Sequence, residues 1–256
     1  MKNGELRVQQ LLYGHDSPLF EAMDFHCQRG EIWAVLGRNG LGKSTLLDTL
    51  TGFLKPLGGS IEQQGGVGIV AQHSHLPFPY LVSDVVLMGR AQHVRLFSQP
   101  GRKDKQAVID ALEQLNIAHL AACTFSSLSG GQQQLVMIAR ALVTACQTLL
   151  LDEPCAALDL ANQQVVLQLI SDLAHRQQCG IIFTTHDPVH ALQVATHTLL
   201  LLPEGKWLAG ATDSIVTEEN MQQAYGLALR KFRVENYATP FIAPLFMINQ
   251  VPKSQR

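Results

Sequence analysis

Short apolar runs separated by polar or glycine-bearing turns recur along the chain, and their period changes from place to place. Residues 5–12 and 19–27 read as short strands. They lead to IWAVLG at 32–37, whose unbroken apolar character predicts a strand buried on both faces. Further buried strands are expected at 67–71 (VGIVA), 147–151 (QTLLL), 181–185 (IIFTT) and 198–202 (TLLLL). A helix is expected after the first of these runs, with Leu46, Leu47 and Leu50 on its apolar face and Gly52 and Pro56 marking its end. Strands alternating with helices predict an α/β protein with a parallel sheet.

Between Gln72 and Leu128 the pattern is different. No strong strand signal occurs there, and Val108, Ala111, Leu112 and Leu115 recur at i, i+3, i+4 and i+7. This predicts an inserted helical lobe over residues 73–128, with 1–72 and 129–256 forming the core. After the turn PEGK at 203–206, the remaining residues are expected to form a small tail of strand and helix.

A chain of 256 residues suits one domain or two unequal lobes. Its formal net charge of −2, with 16% charged residues, supplies no long-range positive field, so nucleic acid is not expected as a partner. The five cysteines, Cys27, Cys123, Cys146, Cys155 and Cys179, are widely spaced without a C-x-x-C pair, which fits reduced thiols in a cytosol. The first residues lack the apolar centre of a signal peptide. The longest apolar runs fall far short of the ~20 residues that cross a bilayer, so membrane contact is expected to be peripheral.

The chemistry-bearing residues lie at the ends of these apolar runs. GRNGLGKS, Gly37 to Ser44, matches G-x-x-x-x-G-K-[ST] and stands between an expected strand and an expected helix. In that context Gly37, Arg38, Asn39, Gly40 and Gly42 form a turn whose backbone N–H groups surround phosphate oxygens. Lys43, Ser44 and Thr45 open the helix, with Lys43 placed to reach β- and γ-phosphates and Ser44 to hold Mg2+. The strand ending LLLDEP at 149–154 puts Asp152 at its tip, where it would hold Mg2+, and Glu153 beside it, where it would polarise an attacking water. LSGGQ, Leu128 to Gln132, precedes a helix whose apolar face is Leu135, Ile138, Ala139 and Leu142. Ser129 there reads as an N-cap followed by Gly130, Gly131 and Gln132, either an ordinary cap or an anion site.

Taken together, the phosphate loop, LSGGQ and LLLDEP resemble the ATP-binding subunit of an ATP-binding-cassette (ABC) transporter along nearly the whole chain. The resemblance implies a P-loop NTPase fold: a parallel-sheet core, an N-terminal antiparallel β-subdomain and an inserted α-helical subdomain. It implies ATP and Mg2+ as ligands. It also implies that Tyr13 stacks on adenine, Gln72 links Mg2+ to the helical lobe, Asp159 lies at a dimer interface and His186 contacts the γ-phosphate. Two copies would face head to tail, LSGGQ of one closing on the ATP of the other. Plainer readings stand beside these: Tyr13 as a strand aromatic, Gln72 as a surface residue, and His186 with His190 as an i, i+4 metal pair. Cys155 and Ala156 depart from the Thr and Ser common in the family.

The stretch PFPYLVSDVVLMGR, Pro77 to Arg90, resembles the type II importers of iron chelates, haem, cobalamin and molybdate or tungstate, and the whole chain is most similar to the molybdate/tungstate branch. That implies a dimeric polytopic membrane permease as partner, a periplasmic substrate-binding protein upstream, and a place on the cytoplasmic face of the inner membrane. An exporter ATPase shares every nucleotide motif. A soluble cassette ATPase, such as an iron–sulfur assembly factor, is the other alternative.

Overall fold

A computed structural model describes residues 5–71, 78–93, 99–156, 158–237 and 239–246. Its centre is a six-stranded sheet ordered β5 (Val67–Val70), β6 (Thr148–Leu151), β7 (Gly180–Thr185), β3 (Ile32–Leu36), β8 (His197–Leu201) and β9 (Trp207–Ala211). The first five strands run parallel, and β9 joins antiparallel to β8. Parallel strands share one C-terminal edge, and the chain's candidate chemistry was expected at strand tips on that edge.

Period-two alternation divides the sheet's side chains between two cores. Ile32, Ala34 and Leu36, with Leu149, Leu151, Ile181 and Phe183, enter the core shared with the helices. Their alternates, Trp33, Val35, Leu150, Ile182, Leu199 and Leu201, enter a second core beneath the N-terminal sheet. Both faces are covered, which explains why these strands read as continuous apolar runs.

The N-terminal sheet has the order β2 (Met23–Cys27), β1 (Glu5–Leu12) and β4 (Gly58–Gln64), all antiparallel. Two expectations are corrected here. The run at 19–27 becomes a strand only from Met23, because the chain turns back at Leu19, whose N–H donates to the Tyr13 carbonyl at 2.9 Å. Strand β4 was not expected, since GGSIEQQ buries none of its side chains fully; backbone pairing with β1 holds it.

Helix α1 (Lys43–Leu50) follows β3 and buries Leu46, Leu47 and Leu50 in the second core. The helical layer contains α2 (Val82–Met88), α3 (Arg102–Gln114) and α4 (Gly130–Leu142), which pack on one another. The i, i+3, i+4, i+7 set of α3 and its C-cap, Val108, Ala111, Leu112 and Leu115, is buried there as the spacing predicts. Arg90 fastens the ends of all three helices: it pairs with Asp104 at 3.0 Å and donates to the Val143 carbonyl at 3.0 Å. Helix α5 (Leu160–Gln177) precedes β7, and α6 (Pro188–Val194) follows it. A tail of α7 (Thr212–Ile215), α8 (Glu218–Tyr225) and a hairpin of β10 (Leu229–Phe232) with β11 (Phe241–Pro244) completes the described chain. Among the described residues no helix is long and apolar enough to cross a membrane.

Cys146 and Cys179 stand just before β6 and β7 and line one cavity of about 210 Å3. The Cys179 thiol donates to the Cys146 carbonyl at 3.7 Å, and its closeness to the Cys146 sulfur holds that thiol below its ordinary range. A thiol with a lowered pKa is ionised above that value and reacts as thiolate. Iodoacetamide labelling of Cys146, followed by peptide mass spectrometry, is therefore expected to rise through a midpoint at lower pH than that of an ordinary thiol. Replacing Cys179 by Ala removes the donor and should move that midpoint upward.

Candidate nucleotide-binding site

The strand register assembles the site. Leu36 of β3 lies opposite Thr185 of β7, and Leu151 of β6 lies opposite Phe183. One residue beyond, the Gly37 N–H donates to the Thr185 carbonyl at 3.3 Å, and Asp152 comes level with Thr184. The phosphate loop, the tip of β6 and the loop after β7 are thereby brought together by backbone pairing alone.

The phosphate loop is built as the spacing predicts. Gly40 and Gly42 have φ of 82° and 86°, in the left-handed region that favours glycine. A Cβ on Gly42 would also meet Leu19 Cδ1 at 2.6 Å. Lys43 is buried and folds back over the loop, donating to the carbonyls of Gly37 (3.0 Å) and Arg38 (3.2 Å) and to Asn39 Oδ1 (3.3 Å). Ser44 is exposed and Thr45 half-buried at the start of α1.

Glu153 is the hub of the site. Its Oε1 lies 3.0 Å from Lys43 Nζ, and its Oε2 accepts from His186 Nδ1 at 3.1 Å. Its backbone has φ 45°, a left-handed conformation that costs a non-glycine residue roughly 1–2 kcal/mol and persists because neighbours hold it. The neighbour is Thr184, fully buried, whose Oγ1 accepts from the Glu153 N–H at 2.8 Å and donates to Asp152 Oδ1 at 2.6 Å. One hydroxyl thus sets both acidic residues. Sequence reasoning passed over Thr184, although a hydroxyl inside an apolar strand must find a partner and so carried a signal.

Asp152 is buried, and Asp48 of α1 lies within reach of its charge. Burial first, and the Asp152 carboxylate second, push Asp48 above the usual carboxylate range. Such an excess of negative charge next to an exposed serine fits a hard cation, which takes one or two carboxylates, water and phosphate oxygens. His186 and His190 do not form a metal pair. His186 turns to Glu153, whereas His190 meets Thr185 Oγ1 at 3.3 Å and Gln163 Oε1 at 3.4 Å, and burial lowers its pKa. Among the described residues no group of three or more His, Cys, Asp or Glu side chains converges as a metal site. The Cys155 thiol is also buried; burial, then Asp187, pushes it up to about 12, so it stays protonated.

Other expected residues lie apart from this hub. Ser129 caps α4 reciprocally: its Oγ accepts from Gln132 N–H at 3.3 Å, while Gln132 Oε1 accepts from Ser129 N–H at 3.0 Å. Ser129 and Gly130 are exposed, Gly131 and Gln132 half-buried, and no hydrogen bond or ion pair among the described residues links them to Lys43 or Glu153. Asp159 caps α5, accepting from Asn162 N–H at 2.8 Å, on an exposed corner. Tyr13 directly follows β1. Its ring is fully buried, stacked on Phe20 with centroids 5.8 Å apart, because the turn at Leu19 folds over it. Gln72, with His73 and His75, lies outside the described residues.

This geometry coincides with a match to the family model "ABC transporter" over residues 20–156. The chain belongs to the ABC transporter family. It is one of the ATP-binding subunits, an ATPase whose hydrolysis is coupled to transport. The molybdate import ATP-binding protein MolC of Haemophilus influenzae is 44% identical, the match covering 95% of this chain and 98% of that one. The ferric enterobactin transport ATP-binding protein FepC of Escherichia coli is 34% identical over 94% of each chain. Among solved structures, a chain from a metal-chelate type ABC transporter in an inward-facing conformation superposes with a TM-score of 0.87 at 42% identity, covering 96% of this chain and 98% of that one.

Thr184→Val removes one hydroxyl and leaves the Glu153 N–H and an Asp152 oxygen unpaired. Leaving buried polar groups unpaired costs about 1–3 kcal/mol each, so denaturant unfolding should show that loss together with slower ATP turnover. Thr184→Ser, which keeps the hydroxyl, is expected to retain both.

Proposed function

We propose that this chain is the ATPase of a type II importer that takes up a metal oxyanion, molybdate or tungstate, or a metal chelate, through a separate permease. The observation that carries this reading is the end-to-end likeness to MolC. The hemin import protein HmuV of Gloeobacter violaceus, 36% identical over 89% of each chain, supports the wider class.

The residues divide the work as follows. Gly37, Arg38, Asn39, Gly40 and Gly42 bind the phosphates through backbone N–H groups, and Thr45 stands in the first turn of the helix behind them. Ser44 and Asp152, with Gln72, would hold Mg2+, which when bound neutralises charge on the β- and γ-phosphate oxygens. Lys43 exchanges Glu153 for a phosphate oxygen as nucleotide arrives. The carboxylate of Glu153, released from the lysine, then polarises the attacking water, and His186 contacts the γ-phosphate. Tyr13 can reach adenine only after Leu19 and Phe20 yield. Ser129, Gly130, Gly131 and Gln132 of a second copy close the site head to tail, with Asp159 at the same interface. Leu160, beside Asp159, is 82% exposed and gives that interface an apolar component. The dimer lies at the cytoplasmic face of the inner membrane and drives the permease, which is fed by a periplasmic binding protein.

Glu153→Gln is expected to bind ATP normally, to turn it over at least ~100-fold more slowly, and to elute as a dimer when ATP is present. Assignment to an importer is tested by affinity purification of the tagged chain from detergent-solubilised cells, with mass spectrometry and cellular molybdate uptake. A stoichiometric polytopic membrane protein, and uptake that fails without this chain, are the expected results. A soluble partner set would move the chain to a non-transport ATPase, and unchanged molybdate uptake would remove the cargo.

A further inference from the structure

His186 sits between β7 and α6, and its side chain is 49% exposed. Packing alone therefore does not hold the ring; besides its contact with Glu153, its place depends on the backbone of the loop. From within the loop, the Asp187 N–H donates to Thr185 Oγ1 at 3.0 Å, and Asp187 Oδ1 caps α6 by accepting from Val189 N–H at 2.8 Å. The remaining clamp comes from the tail. The Tyr225 hydroxyl, at the end of α8, donates to the His186 carbonyl at 2.8 Å.

We propose that Tyr225 is a positioning residue for ATP hydrolysis: through the His186 backbone it holds the imidazole on Glu153, making the C-terminal tail part of the catalytic apparatus. This rests on the role given above to His186. Several contacts fix Tyr225 in turn. Thr217 Oγ1 caps α8 by accepting from Asn220 N–H at 3.2 Å, and Gly226 at φ 73° ends it. Glu218 at the start of α8 accepts from Lys231 N–H at 2.8 Å and pairs with Arg230 at 2.7 Å, so the hairpin braces the helix. Met221 and Ala224 of α8 are buried, and Tyr225 packs against the same core. Burial, then the charges of Asp187 and Glu153, raise the Tyr225 pKa far above neutrality, so its hydroxyl remains a donor. The hydrogen bond to the His186 carbonyl places the phenol at the loop that carries the imidazole.

The test is a double-mutant cycle on the full chain with Mg2+ and ATP. Tyr225→Phe keeps the ring and its packing and removes the donor alone. Its melting temperature is expected to stay near that of the parent, while kcat falls about fivefold with little change in KM, the size of one neutral hydrogen bond. In a His186→Ala background the same substitution should cost nothing further, because it acts through the imidazole. A structural role would cost the same factor in both backgrounds, and that result, or turnover at the parental rate in Tyr225→Phe, overturns the proposal. If His186→Ala alone hydrolyses ATP like the parent, the role of His186 is wrong, and that of Tyr225 falls with it. A slow His186→Ala beside a normal Tyr225→Phe refutes the tail's part alone.

Discussion

The buried ion pair between Lys43 and Glu153 constrains everything around it. With Lys43 5% and Glu153 9% exposed, neither charge can be left alone without a penalty of several kcal/mol. They can therefore part only when another anion reaches the lysine. A nucleotide phosphate is such an anion, so its arrival and the release of the Glu153 carboxylate become one event. In the proposed mechanism the pair would keep the carboxylate from acting on water until nucleotide reaches the phosphate loop, with no separate latch required.

That constraint is met by backbone geometry. Strand β3 sits between β7 and β8, so the loop it feeds lies beside the loop after β7, and β6 completes the edge from the other side of β7. The left-handed backbone at Glu153 turns the chain sharply after β6 and aims its carboxylate back at Lys43. Thr184, rather than Glu153 itself, makes that turn tolerable, since it satisfies the N–H that the turn strands. Strand order supplies proximity, and one buried hydroxyl supplies aim.

Much of this could be read before the fold was known, for a physical reason. Central strands buried on both faces, such as 32–36 and 181–185, are apolar throughout, and the chemical motifs stand at their ends. Legibility falls where backbone pairing, not side-chain burial, makes the structure. Strand β4 shows no apolar alternation worth the name, and its position comes from pairing with β1. Tyr13 was legible as an aromatic after a strand, but whether its face is open depends on the turn at Leu19, which no local pattern reveals. Thr184 did carry a signal, a polar atom in an otherwise apolar strand. Tyr225 carried none, because its partner is a carbonyl, and a carbonyl leaves no mark in a side-chain pattern.

The span of the family match sharpens this last point. The matched region ends at residue 156 and so contains the phosphate loop, Ser129 and Glu153, but neither Thr184, His186 nor Tyr225. Those three reach the site from β7, the loop after it and the tail, by a hydroxyl on a backbone N–H, an imidazole on a carboxylate, and a phenol on a carbonyl. In the proposed mechanism the phosphate loop binds the nucleotide, whereas setting Glu153 for water attack draws on Thr184, His186 and Tyr225. A variant confined to the tail can therefore alter turnover while leaving affinity for ATP intact, since α8 reaches the loop after β7 and makes no hydrogen bond to the phosphate loop among the described residues.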